Sequence, residues 1–170
     1  MNLAQSTLET KRCMLVKIQE NNFIDIRRIY SNEKVREFLG GVPPEERIRA
    51  AFEGMVQTTD DHYFIIRDKP SNDLIGLVSL DKHHDGISTG ISYQLLPVWW
   101  GKGYGKEVVE AVLEYAFSEL GLPVIVAETQ TANLASCKLL EGVGMRLRDK
   151  VFRFGAEQAI YERQKNNLMN

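Results

Sequence analysis

The sequence predicts a mixed α/β domain (α+β in arrangement), a single unit spanning residues 1-170. Three observations lead there. Segments with a two-residue apolar period alternate with segments of helical period. No repeat, low-complexity tract or linker interrupts them. The length of 170 residues suits one domain with a sizeable core.

The elements follow in order. "CMLVKI" (13–18) is apolar and β-branched and reads as a strand. "NNFIDIRRIYSN" offers asparagine caps and spaces Phe23, Ile26, Ile29 and Tyr30 as one helical face. "EKVREFLGG" reads as a short helix closed by Gly40 and Gly41. "PPEERIRAAFEGMVQ" starts on proline and acidic residues and carries Ile48, Ala51, Phe52 and Met55 as a stripe.

"HYFIIRD" and "LIGLVSLDK" are strands joined by the turn "KPSND", and "GISTGISYQLL" is a third after the loop "KHHDG". "GKEVVEAVLEYAFSEL" returns to helical period, with Val108, Val109, Val112, Tyr115 and Ala116 on one face. "PVIVAETQ" is a strand, "NLASCKLLEGVG" a helix, and "RLRDKVFRF" with "EQAIYERQ" a closing strand pair.

Composition narrows the function. With 44% hydrophobic and 26% charged residues and net charge −2, the chain has no dense basic run, which argues against nucleic acid as a partner. No apolar run approaches the ~20 residues of a membrane helix. The polar first ten residues lack the apolar core of a signal peptide, so a cytoplasmic protein is expected. Cys13 and Cys137 lie far apart and read as free thiols. His83 and His84 read as part of a solvated turn, without the further ligands a metal needs.

The stretch "VWWGKGYGKEVVEAV" stands between a strand and a helix. Its glycines at 101, 103 and 105 fit neither a P-loop nor GxGxxG. Two readings stand for these residues. The loop holds an anion on converging N–H groups at a helix N-terminus. Alternatively, Gly101 and Gly103 turn a corner and Gly105 permits close helix packing.

"WGKGYGKEVVEAVLEYAF" after "ISYQLLP" resembles the acyl-CoA-binding core of the GNAT superfamily of N-acetyltransferases. Its signature, [Q/R]-x-x-G-x-[G/A], falls on Trp100, Gly103 and Gly105, with Trp100 departing from the usual Gln or Arg. "NLASCKLLEGVGM" resembles a second segment of the family, and "LETKRCMLVKIQENNF" the opening of its ribosomal-protein-alanine N-acetyltransferase branch. The resemblance covers nearly the whole chain and is weakest between residues 40 and 60.

The resemblance implies a mostly antiparallel central sheet of six to seven strands, flanked by about four helices, with two central strands splayed apart. It implies acetyl-CoA as cofactor and direct transfer to an amine in a ternary complex. Backbone N–H groups of Lys102, Gly103, Tyr104, Gly105 and Lys106 would hold the pyrophosphate. The backbone from Tyr93 to Leu95 would pair with the pantetheine arm, and a donor near Leu95 would polarise the thioester carbonyl. Asn133 matches the asparagine beside that arm and also suits an N-cap. Ser136 matches a small-residue position near the cofactor path; its alternative is a helix serine without a partner.

Glu128 is the candidate general base. It lies five positions before Asn133 and interrupts the apolar run "VIVA", where a carboxylate is costly unless used or paired. The alternative is a strand-end glutamate facing solvent or paired with a lysine. The tyrosine that often protonates the leaving thiolate is replaced by Leu140, with Cys137, Ser136, Tyr161 or water as substitutes. Trp99 and Trp100 line the groove or pack the core, and Tyr30, Phe38 and Leu39 border the acceptor site. A protein N-terminal α-amine is the favoured acceptor. A small-molecule amine (polyamine, amino acid or drug) and a CoA-binding sensor without catalysis are the alternatives. A monomer or a homodimer is expected.

Overall fold

The computed structural model of the protein describes residues 7–166. Residues 1–6, part of the stretch read for a missing signal-peptide core, lie outside that range, as do 167–170. The chain forms β1 (Thr7–Glu9), β2 (Cys13–Lys17), α1 (Phe23–Tyr30), α2 (Glu45–Gln57), β3 (His62–Asp68), β4 (Leu74–Lys82) and β5 (Thr89–Leu95). After these come α3 (Tyr104–Ser118), β6 (Val124–Gln130), α4 (Leu134–Gly142), β7 (Arg146–Arg153) and β8 (Ala156–Gln164).

All eight strands join one sheet in the order β1-β2-β3-β4-β5-β6-β8-β7. Neighbours are antiparallel except β5 and β6, which run parallel. The mostly antiparallel sheet with four helices matches expectation, but the strand number exceeds the expected six to seven. The extra strand is β1, three residues of low apolar content that pair Thr7–Glu9 against Met14–Val16. Its hydrogen bonds hold it there, and its sequence carries no period to show it.

The expected helix in "EKVREFLGG" is not formed. Residues 33–40 make successive turns. The Arg36 guanidinium donates to the carbonyls of Leu39 and Gly41 and organises this loop. Gly40 and Gly41 both take positive φ, which glycine adopts freely.

Each face of the sheet has its own core. On one, Val108, Val109, Val112, Leu113, Ala116 and Phe117 of α3 pack with Ile75, Val78, Ile91, Leu95, Ile125 and Ala127. Burying each of the larger of these side chains contributes about 1.5–3 kcal/mol. On the other face α1 and α2 bring Ile26, Ile29, Ile48, Phe52 and Met55 against Ile65, Leu77 and Leu96. Side chains alternate between the two faces along β5. Tyr93 therefore points to the α3–α4 side while Gln94 points to the α1–α2 side.

The central strands splay as expected. β5 and β6 pair only at Thr89↔Ile125 and Gly90↔Val126, and from Ile91 onward they diverge. Gly76 of β4 stands opposite Leu95. A Cβ on Gly76 would sit 2.0 Å from the Gln94 carbonyl oxygen, so only glycine lets the end of β5 lie this close to β4.

Candidate active site

The splay leaves the β6-facing backbone edge of β5 from Ile91 to Leu95 without a strand partner. Such an edge takes up an extended, amide-bearing ligand as it would another strand. At its end, Trp100 donates its indole N–H to the Leu95 carbonyl at 2.7 Å, and Trp99 donates to Leu74 at 3.0 Å. Both tryptophans thus tie the loop to the sheet. Trp99 also packs edge-on against Tyr104, while Trp100 stays half exposed.

The loop then turns through Gly101 (φ 72°) and Gly103 (φ 83°), the latter at the N-cap of α3. Lys102, Gly103 and Lys106 are exposed and Tyr104 and Gly105 partly so, with the free N–H groups of the first helical turn beside them. Gly105 has a packing role as well. A Cβ there would meet Leu139 Cδ1 at 2.7 Å, so its absence lets α3 and α4 approach closely.

Sequence reasoning missed Arg12 at this loop. Its guanidinium lies 3.8 Å from the Tyr104 ring centre, donates to the Lys102 carbonyl at 3.0 Å and pairs with Glu107 at 2.7 Å. Burial pushes the Glu107 carboxyl up, but donors from Thr10 and Arg12 outweigh it and hold it below the usual carboxylate value. In the sequence Arg12 belongs to a short basic run, and nothing signals a partner 95 residues away.

Across the splay from β5 stands α4. Asn133 caps it, its Oδ1 accepting from Ser136 N at 3.2 Å. Its side-chain N–H groups make no hydrogen bond among the described residues. Ser136 does have a partner: its hydroxyl lies 2.6 Å from that of Tyr93 on β5. Burial pushes the Tyr93 phenol up to about 12, against the pull of the Ser136 hydrogen bond. Leu140 is fully buried in the core, and the Tyr161 hydroxyl donates to Glu141 at 2.9 Å.

On the opposite face of the splay lies Glu128. It is held by Arg153 of β7, whose Nε and Nη2 donate to its two carboxylate oxygens, each at 2.8 Å. His83 Nε2 lies 2.8 Å from Glu128 Oε1. The carboxylate is therefore paired, with an arginine and a histidine in place of the lysine considered above. A carboxylate has about four lone-pair sites. With His83 in its Nε2–H form, three donors leave one, on Oε2.

The expectation for His83 needs correction. It is 8% exposed, not solvated, because its Cβ lies beside Gly90 and its ring reaches inward to Glu128. His84 remains exposed, near Phe154.

The loop 31–41 bridges both arms of the splay on this face. Arg36 donates to Gln94 of β5 at 3.3 Å, and Gln130 of β6 donates to the Phe38 carbonyl at 3.1 Å. Tyr30 lies under the Arg36 guanidinium, 4.8 Å from its ring centre, and Leu39 is exposed. Of the residues expected at the acceptor border, Phe38 is tied through its carbonyl to β6 and Tyr30 packs under Arg36.

No helix among the described residues is long and apolar enough to cross a membrane. A relative from Bacillus subtilis, named as the uncharacterized N-acetyltransferase YoaA, is 32% identical over 82% of this chain and 82% of its own. The FsC-acetyl coenzyme A-N(2)-transacetylase of Aspergillus fumigatus is 40% identical over 57 residues; the match takes in 34% of this chain and spans 24% of that relative.

Among solved structures, a GNAT-family acetyltransferase from Bacillus anthracis superposes with TM-score 0.82 at 22% identity, over 94% of this chain and 99% of that one. Spermidine N-acetyltransferase from Vibrio cholerae, in complex with CoA and spermine, gives 0.78 at 18% identity over 93% and 98%. Ribosomal-protein-S5-alanine acetyltransferase from Vibrio fischeri gives 0.76 at 16% over 97% and 100%. The pattern of the acetyltransferase (GNAT) domain matches residues 12–146, so the chain belongs to the GNAT family of acetyltransferases.

Proposed function

We propose that this N-acetyltransferase uses acetyl-CoA and passes the acetyl group directly to a primary amine, with a protein N-terminal α-amine as the favoured acceptor. The observation that carries the reading is the splay itself. It joins an unpaired strand edge and a glycine-turned helix N-terminus on one side to a buried carboxylate on the other.

The residues fit the cofactor. Backbone N–H groups from Lys102 to Lys106 bind the pyrophosphate, and the edge from Tyr93 to Leu95 pairs with the pantetheine arm. Asn133 offers its side-chain N–H groups to the same arm, and the Leu95 region supplies the donor for the thioester carbonyl. When bound, acetyl-CoA supplies an activated acyl group with a thiolate leaving group. The paired hydroxyls of Tyr93 and Ser136, on the strand and helix that flank the splay, would protonate that thiolate in place of the tyrosine that Leu140 replaces.

Glu128 serves as the base through its remaining Oε2 lone pair. An acceptor arrives as an ammonium and must lose a proton before it can attack. An α-amine with a pKa near 8 demands about 3 kcal/mol less for this than a lysine-like amine near 10.4. The smaller cost favours the α-amine as acceptor.

A second reading, a small polyamine acceptor, draws on Asp81. This half-buried carboxylate accepts from the Tyr63 hydroxyl at 3.2 Å and makes no salt bridge among the described residues. Burial raises it above the usual carboxylate value. A second ammonium on the acceptor would pair with it.

The test is thiol release from acetyl-CoA with N-terminal peptides and diamines in competition. Preference for peptides supports the first reading, preference for diamines the second. Failure of every amine together with an unchanged Tm in acetyl-CoA overturns both.

A further inference from the structure

We infer that Arg12 is a positioning residue for the diphosphate of the acetyl donor: it fixes the peptide between Lys102 and Gly103 so that the Gly103 N–H turns toward the ligand. The inference rests on the acetyl-CoA reading above and adds a residue outside the cofactor set given there.

This peptide has two orientations open to it. Gly103 stands at φ 83° and ψ 3°, the values of the third residue in a type II turn. Glycine adopts equally well the negative φ of a type I turn, in which the same peptide is flipped. In a planar trans peptide the C=O and the N–H point in opposite directions. The flip therefore decides which side of the loop receives the Gly103 N–H.

Arg12 selects one orientation. Its Nη1 donates to the Lys102 carbonyl at 3.0 Å, so the Gly103 N–H points away from the guanidinium. Its Nη2 lies 3.4 Å from where a Cβ of Gly103 would stand, so the same group covers the glycine. A flipped peptide would set its N–H against the guanidinium N–H groups, donor against donor, and would withdraw the carbonyl. The guanidinium is itself held from two sides. Nε donates to Glu107 at 2.7 Å, and the central carbon lies 3.8 Å over the centre of the Tyr104 ring. Both supports belong to the first turn of α3, so the guanidinium and the helix N-terminus are fixed relative to each other.

The N–H groups arranged in this way are free. Those of Gly103, Tyr104, Gly105 and Lys106 find no acceptor among the described residues. They are the four that an α-helix leaves unsatisfied at its start, and the orientation of the first of them is set by Arg12. A diphosphate takes up several such donors at once. The thioester arm presents amides instead and draws on the strand edge of β5. Loss of Arg12 should therefore be felt through the diphosphate and not through the arm. A merely structural role, tying the β1–β2 turn to α3, would affect both parts of the donor alike.

The experiment compares the full-length wild type with Arg12→Lys and Arg12→Gln on two donors. One is acetyl-CoA; the other is S-acetylpantetheine, which keeps the thioester arm and lacks the diphosphate. We expect kcat/KM for acetyl-CoA to fall about 10–100-fold in both variants, chiefly through KM. The ratio of kcat/KM for acetyl-CoA to that for S-acetylpantetheine should fall by nearly the same factor. Gly103→Ala, strained at a φ of 83°, should lower the ratio in the same way. In the wild type, CoA should shift the amide resonance of Gly103 far more than pantetheine does.

A wild-type ratio in Arg12→Gln would overturn the inference and leave Arg12 a structural tie. A wild-type ratio in Arg12→Lys would overturn it too, by showing that the ligand reads charge alone. Should the variants fail to fold, or S-acetylpantetheine give no rate, a Gly103 amide that CoA leaves unmoved overturns it. A wild type that neither binds CoA nor turns over acetyl-CoA overturns the acetyltransferase reading instead.

Discussion

Arg153 grips both carboxylate oxygens of Glu128 at 2.8 Å, from a strand that is separated from β6 by β8. Glu128 is 10% exposed in its side chain and Arg153 30%, so the pair is largely withdrawn from water. Removing the arginine leaves a shielded anion with His83 as its donor. Arg153→Ala is therefore expected to lower stability by about 1–3 kcal/mol, discounted for the partly exposed guanidinium. It also frees Glu128 to swing, so kcat falls. Arg153→Lys should rescue little of either, because an ammonium cannot reproduce the two-point fork. Urea unfolding and steady-state rates check both outcomes.

Tyr93 and Ser136 join β5 to α4 across the splay through hydroxyls 2.6 Å apart. Tyr93→Phe removes one hydrogen bond and should cost about 0.5–1.5 kcal/mol of stability. If the pair faces the departing thiolate, kcat drops about 10-fold while the KM for acetyl-CoA holds. With its phenol pushed up to about 12, Tyr93 stays protonated through the neutral range. An alkaline limb near neutrality should therefore survive in Tyr93→Phe. A variant with wild-type kcat removes Tyr93 from the chemistry.

Much of this was legible in the sequence, for identifiable reasons. α3 carries a long helical period and β4 a long apolar run, and their ends fall where glycine and turn residues put them. The short strand β1 and the loop 31–41 were missed or misread because bonds beyond their own residues define them, the hairpin pairing with β2 in one case and the reach of Arg36 to Gln94 in the other. Glu128 stood out as a charge in an apolar strand, but its partners lie 45 and 25 residues away in the chain, and no local pattern names them. His83 and Arg12 shared that fate, since each belongs to a polar turn until the fold carries it onto a carboxylate. The glycines held two readings at once, and Gly105 shows why: its missing Cβ serves helix packing, while its N–H stands in the first turn of α3.

Gly76 and Gly105 separate backbone need from side-chain need. A Cβ at Gly76 meets backbone, the Gln94 carbonyl at 2.0 Å, which cannot retreat without moving β5. A Cβ at Gly105 meets Leu139 Cδ1 at 2.7 Å, the end of a flexible side chain. Gly76→Ala should cost about 3 kcal/mol or more and weaken acetyl-CoA binding, because β5 forms one wall of the splay. Gly105→Ala should cost about 1 kcal/mol or less, as a helical alanine partly offsets the crowding. Calorimetry of acetyl-CoA binding beside thermal unfolding gives the ranking, and equal losses in the two variants would contradict it.

Glu107 ties the β1–β2 turn to the first turn of α3, accepting from the Thr10 hydroxyl, the Arg12 backbone and the Arg12 guanidinium. Its folded pKa lies below the ordinary carboxylate value, so its stabilisation is fully present above that ordinary value. It is lost as the pH falls through the depressed folded value. Glu107→Gln should therefore be less stable than the wild type by about 1–2 kcal/mol at neutral pH, since it exchanges charge-assisted bonds for neutral ones. The gap should close as the pH falls from about 6 toward 3. The same variant loosens Arg12, whose other bond holds the Lys102 carbonyl, so affinity for acetyl-CoA should fall at neutral pH, where the pair is intact in the wild type. A stability gap that stays constant down to low pH would show that the charge of Glu107 contributes nothing to the fold.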